Sequence, residues 1–147
     1  MHKVFGEKID VTYLDRKGAY LILINKGKIG VVRTSKGLFF LGGEIDENET
    51  DMDCIHRECL EEIGHTSVVK SFLCSAETYT DHPQLGYFHP IQRYYVGELE
   101  LNVQLPSETD HTLVWLTYEE LRGTMFVEMQ NWALEQYHNY NKGGLTK

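Results

Sequence analysis

Short apolar runs, each cut off by glycine or by charged residues, set the rhythm of the chain. Residues 19–24 and 28–33 are apolar or β-branched and too short for helices, and Asn25-Lys26-Gly27 between them has hairpin-turn chemistry, so the pattern predicts two paired strands. Residues 38–41 predict another strand, broken by Gly42 and Gly43, where the backbone can turn sharply or approach a ligand closely. The period then changes. Met52, Ile55, Cys59 and Ile63 recur at spacings of three and four, which predicts a helix over 50–64 that stops at Gly64. Residues 68–80 and 86–103, rich in Val, Tyr, Phe and Leu, predict long antiparallel strands around Asp81-His82-Pro83-Gln84, and 113–116 predict a last strand. Thr117, ahead of Glu119 and Glu120, is placed to cap a short helix, and 125–137 carry apolar residues at helical spacing. Strands interleaved with a few helices predict a mixed sheet covered by helices on its faces, an α/β sandwich.

At 147 residues the chain suits one domain, which at that size buries roughly 68–70% of the surface its unfolded form exposes. No repeat or linker divides it, so the expectation is a single domain over 1–140 and a flexible tail over 141–147. The chain is 41% hydrophobic, and no apolar run approaches the ~20 residues a membrane span needs. Residues 1–6 lack the basic start and apolar stretch of a secretory signal, so a cytoplasmic location is expected. Cys54, Cys59 and Cys74 are odd in number and lack zinc-ligand spacing, and they read as buried reduced thiols. A net charge of −8 argues against a nucleic-acid partner, whose binding needs clustered Lys and Arg. A small phosphate ligand stays compatible with that charge when a bound cation bridges the two.

The predicted helix 50–64 holds the candidate chemistry. At about 100° per residue its apolar positions share one arc, and Glu58, Glu61 and Glu62 share the neighbouring arc. Such a run can be a solvated face. Two carboxylates ~4 Å apart, however, repel by roughly 4 kcal/mol at an effective dielectric of 20, and three together invite a counter-ion. Hard oxygen ligands on a rigid helix suit Mg2+ or Mn2+.

The spacing Gly43-x5-Glu49-x7-Arg57-Glu58-Cys59-x-Glu61-Glu62-x-Gly64-His65 resembles the signature of the Nudix hydrolase family. Seven fixed positions match, which chance would supply in such a chain with a probability on the order of one in a million. Cys59 and His65 stand where aliphatic residues are usual, and the proline that often precedes the paired glycines is replaced by Leu41 or Gly42; none of these removes a ligand. The resemblance extends more weakly from the strand at Gly18 through Trp115 to the last helix. It implies a Nudix-type α/β/α sandwich with a mixed central β-sheet, and hydrolysis of a nucleoside diphosphate linked to another group. It also implies metal bound by Glu58, Glu61, Glu62 and the Gly43 carbonyl, with Glu58 or Glu61 as the base. By the same analogy Arg57 pairs with Glu49 to hold the loop on the helix, and Arg33 contacts a phosphate; otherwise each is a surface residue.

Glu108 and Asp110 are either a further metal ligand, base or nucleobase contact, or a solvated loop. Tyr79, Tyr87, Phe88, Tyr94 and Tyr95 include candidates for base stacking, most being expected in the core or on the sheet, and His82, His89 and His111 are too scattered to predict a metal site. The small size leans the substrate toward a nucleoside triphosphate, oxidised or non-standard, over ADP-ribose, a nucleotide-sugar or a dinucleoside polyphosphate. A non-catalytic nucleotide sensor is the other alternative, but such proteins usually lose box carboxylates. A homodimer through sheet edges or the last helix is compatible with a small enzyme.

Overall fold

The computed structural model describes residues 1–145. Along the chain run β1 (His2–Phe5), β2 (Leu14–Asn25), β3 (Lys28–Thr34), β4 (Gly37–Phe39), β5 (Leu41–Glu44), α1 (Asp51–Ile63), β6 (His65–Thr78), β7 (Thr80–His82), β8 (Gly86–Asn102), β9 (Thr112–Leu116), α2 (Tyr118–Leu121) and α3 (Glu128–Leu145). The sheet follows the order β1-β6-β8-β2-β3-β4, with β5 added to β2, β7 to β8 and β9 to β3. β1 pairs parallel with β6 and β2 parallel with β8, while the other pairs are antiparallel, so the sheet is mixed.

The apolar run in β2 is nearly continuous because both faces of this central strand are covered. Ala19, Leu21 and Leu23 point to a core shared with Cys54, Ile55, Cys59 and Ile63 of α1. Ile22 points the other way, to a second core with Met129, Ala133 and Leu134 of α3. The result is an α/β/α sandwich. Among the described residues no helix is long and apolar enough to cross a membrane.

α1 begins and ends where local chemistry requires. Thr50 Oγ1 accepts the Asp53 N–H at 3.1 Å while Asp53 Oδ2 accepts the Thr50 N–H at 3.1 Å, a reciprocal cap. Gly64 ends the helix at φ 72°, where a Cβ would lie 2.0 Å from the Gln104 carbonyl oxygen. Thr50→Ala is expected to destabilise the protein by about 1 kcal/mol, seen as a lower urea midpoint at unchanged slope. An unmoved midpoint would show that the cap contributes nothing.

Several elements differ from the sequence pattern. β1 offers only two adjacent apolar residues, Val4 and Phe5, and residues 14–18 of β2 only Leu14, too little to predict strands, yet β1 extends the sheet beside β6 and 14–18 pair with 88–92 of β8. Gly42 and Gly43 do not break a strand. They lie inside β5, opposite Tyr20 and Ala19. β6 starts at His65, three residues before the predicted start, because His65 is already in register with Asn102. α3 starts at Glu128 and not at 125, because Met125 bridges to Leu38 and the Phe126 N–H donates to the Leu38 carbonyl at 3.0 Å. Of the expected tail 141–147, the residues through Leu145 are assigned to α3, and 146–147 lie outside the described residues.

Candidate active site

The apolar arc of α1 seats the helix on the sheet, and this turns Glu58 and Glu62 inward beside β5. Glu62 is 5% exposed, and its Oε1 accepts the Gly42 N–H at 2.9 Å. A Cβ on Gly43 would lie 2.8 Å from the Glu58 carboxyl carbon, so the glycine is what admits that carboxylate to the β5 backbone. The Gly43 carbonyl accepts the Cys54 thiol at 3.4 Å.

Arg57 is the hub of the cluster. Its Nε and Nη2 donate to the two Glu49 oxygens at 2.7 and 3.0 Å, and Nη2 also reaches the Glu44 carbonyl at 3.0 Å. Nη1 donates to Glu58 Oε1 at 2.7 Å and to Glu61 Oε2 at 3.2 Å. The fork therefore ties the loop between β5 and α1 to the helix and spreads one positive charge over three carboxylates. The Arg57 hydrogen bond holds Glu49 below the usual carboxylate range.

The two inward glutamates are strained electrostatically. Burial pushes Glu58 up even against the pull of Arg57, with Glu61 and Glu108 adding repulsion. Burial pushes Glu62 up to about 8; the Gly42 hydrogen bond opposes this and the negative charge of Glu58, Glu108 and Glu61 reinforces it. Among the described residues no group of three His, Cys, Asp or Glu side chains is already arranged to hold a metal ion. The cause is visible: Glu58 and Glu61 turn to Arg57, and Glu62 turns to the Gly42 N–H. The donor set itself suits a hard cation, being all oxygen, crowded and short of positive charge.

Loop 103–111 brings further groups in. The Ser107 and Glu108 N–H groups donate to the Glu61 carbonyl at 2.8 and 3.0 Å, so Glu108 stands close enough to raise both Glu58 and Glu62. Asp110 accepts from the Ser35 N–H and hydroxyl at 3.2 and 2.8 Å, pinning the loop to the β3–β4 turn. His111 sets Nε2 3.4 Å from Glu62 Oε2, and its buried Nδ1 has no protein partner among the described residues. Sequence reasoning missed His111 as a neighbour of the glutamates, because 49 positions separate it from Glu62 and no periodicity links them.

Two cavities flank this cluster and share Tyr20 as a wall. The smaller, about 330 Å³, is lined by Glu62, Gly42, His111, Asp110, Ser35 and Lys36. The larger, about 490 Å³, contains none of the three glutamates but abuts Glu44, next to Gly43. Burial first, then Glu62 and Glu58, push the Tyr20 phenol well up, so it stays a hydrogen-bond donor. Tyr20 was also missed, reading simply as one of the apolar positions in its strand. Arg33 is exposed on β3 opposite Thr112 and lines neither cavity.

Of the five aromatics on the long strands, Phe88 lines the larger cavity, Tyr94 and Tyr95 are buried in opposite cores, and Tyr79 stacks on His89 at 4.1 Å. The three histidines fall in different places: His82 on the larger cavity, His89 between Asp15 and Glu77, and His111 at Glu62. The cysteines are free and buried, which pushes each thiol up to about 12.

The NUDIX domain profile matches residues 9–139, and the chain belongs to the Nudix family. Similar solved structures include a NUDIX hydrolase from Nitrosomonas europaea, with TM-score 0.72 and 15% identity over 86% of this chain and 90% of that one. The MutT protein from Methanosarcina mazei Go1 aligns with TM-score 0.72 and 18% identity, over 90% of this chain and 99% of that one. A structure described as an ADP compounds hydrolase aligns with TM-score 0.67 and 20% identity, over 88% of this chain and 74% of that one. No curated protein matches the sequence. Membership makes the chain a hydrolase of pyrophosphate bonds, in a family that generally uses a divalent metal.

Proposed function

We propose that this protein is a Mg2+- or Mn2+-dependent pyrophosphohydrolase of a nucleoside diphosphate linked to another group, and that the group is a further phosphate, making the substrate a nucleoside triphosphate, oxidised or non-standard. The observation that carries the reading is the convergence of Glu58 and Glu62 on the β5 glycines, with Glu61 held beside Glu58 by Arg57, next to two cavities. Glu58, Glu61, Glu62 and the Gly43 carbonyl would hold the metal. Bound there, a divalent cation neutralises the diphosphate and makes water more acidic. The remaining work belongs to the chain. Glu58 or Glu61 accepts the water's proton, Arg57 and Glu49 keep the loop and helix in register, and Lys36 offers positive charge in the cavity that contains Glu62. Glu108 is a further carboxylate within reach of the cluster.

The lean toward a triphosphate rests on size: the chain spans 99% of the MutT protein but 74% of the ADP compounds hydrolase. Incubation with magnesium or manganese and a nucleotide panel, with monophosphate, phosphate and pyrophosphate quantified, identifies the bond broken. Wild type is expected to release product at least about 100-fold faster than Glu61→Gln. No product from any nucleotide, with wild type and Glu61→Gln alike, would sink the reading.

A further inference from the structure

The larger cavity contains a hydrogen-bonding group whose direction is set by the fold. The Phe40 N–H can only donate, and it donates to Gln130 Oε1 at 2.9 Å. Gln130 is fully buried, so its amide orientation follows, and its Nε2 donates to Gln92 Oε1 at 3.3 Å. The Tyr94 hydroxyl donates to the same Gln92 oxygen at 2.6 Å. With that oxygen doubly engaged, Gln92 keeps two N–H donors on Nε2 that make no hydrogen bond to the described residues, and Gln92 lines the larger cavity, which is where a ligand would meet them.

Gln92 is 8% exposed, so its free donors are largely shielded from bulk water and a ligand acceptor in the cavity would gain a well-protected hydrogen bond. The walls around it are largely apolar and partly aromatic, with Phe88 and Pro90 from β8, Phe126 and Val127 from the segment leading into α3, and Met129 from its first turn. Phe126 remains 59% exposed at this wall. At about 490 Å³ the cavity has the size of a small-molecule site, and it meets the glutamate side at Tyr20 and Glu44. A flat ring carrying an acceptor fits these features.

Resting on the nucleotide-hydrolase reading above, we propose that this cavity seats the nucleobase and that Gln92 selects a base with a ring carbonyl, a 6-oxopurine or a 4-oxopyrimidine. A 6-aminopurine or 4-aminopyrimidine in the same pose sets an amino group against the Gln92 amino group, donor against donor. Such a base pairs with Gln92 only by sliding until a ring nitrogen accepts, which shifts it in the apolar slot.

The test is calorimetric binding of nucleoside monophosphates in magnesium buffer, comparing IMP with AMP and UMP with CMP, which have no anhydride bond to cleave. The oxo member of each pair is expected to bind about 10-fold tighter or more. In Gln92→Glu one carboxylate oxygen can still accept from Tyr94 and Gln130, leaving the other as an acceptor, so the preference is expected to reverse toward AMP and CMP. Equal or tighter binding of the amino bases by wild type would overturn the proposal. So would an unchanged ratio in folded Gln92→Glu, or no measurable IMP and UMP binding at millimolar concentration. Should Gln92→Glu not fold, the wild-type ratios decide alone. Binding ratios are independent of turnover, so a protein that binds oxo bases selectively but cleaves no nucleotide loses only the catalytic reading. One that cleaves all bases alike, and binds them alike, loses only the base reading.

Discussion

Glu62→Gln is expected to lower kcat about 1000-fold and, in metal-free protein, to raise thermal stability. Loss of one charge-stabilising group in a desolvated site costs about 100- to 1000-fold in rate, and Glu62 is here a proposed metal ligand as well. The stability gain has a separate origin. Burial raises the Glu62 carboxyl from its ordinary 4.5 to about 8, so between those values the folded chain binds a proton that the unfolded chain has released. The wild-type carboxyl therefore contributes a stability that falls as pH rises from about 4.5 to about 8. The amide avoids this penalty while its oxygen still accepts the Gly42 N–H. A gain of roughly 1 kcal/mol or more is expected near pH 8, on the order of 3 °C in Tm, vanishing near pH 4. Thermal melts in chelator across that range check it, and a mutant less stable than wild type at pH 8 would contradict the electrostatic account.

Replacing Gly42 by alanine is expected to destabilise the fold by roughly 3 kcal/mol or more. Gly42 holds φ at 138°, and a Cβ there would lie 2.2 Å from the Ala19 carbonyl oxygen and 2.7 Å from the Tyr20 Cα, backbone atoms that cannot step aside without opening the β2–β5 ladder. Gly43→Ala gives the contrasting result. Its Cβ would meet the end of the Glu58 side chain, which can rotate away. That variant is expected to stay folded while losing activity, because the displaced carboxylate leaves the β5 backbone. Urea unfolding and turnover measured on both variants separate the two roles. A Gly42→Ala loss under about 1 kcal/mol would mean that β5 relaxes more readily than this packing implies.

Much of the architecture was legible because periodicity reports burial. The spacing of Met52, Ile55, Cys59 and Ile63 located α1, and Gly64 marked its end, since C-capping is short-range chemistry, while the Thr50 cap became visible only in the structure. Strands that depend on a partner left little trace. β1, with only Val4 and Phe5 apolar, and residues 14–18 of β2, with only Leu14, are extended because neighbouring strands supply their hydrogen bonds, which a short local pattern does not register. Gly42 and Gly43 read as a breaker for the same reason, since local propensity cannot register the Tyr20 and Ala19 backbone beside them.

By itself the sequence determined the family, the helix that carries the three glutamates and the number of residues separating them from the paired glycines, because an α-helix converts spacing directly into angular position. Only the tertiary structure decided which groups surround those carboxylates. It placed His111 and Glu108 beside them, put Tyr20 between the two cavities, and engaged the Gln92 amide oxygen with Tyr94 and Gln130 at the wall of the larger one. The physical reason is contact distance: hydrogen bonds and charges act over a few ångströms, and residues 38 positions apart, such as Gln92 and Gln130, come within that reach only when sheet and helix pack.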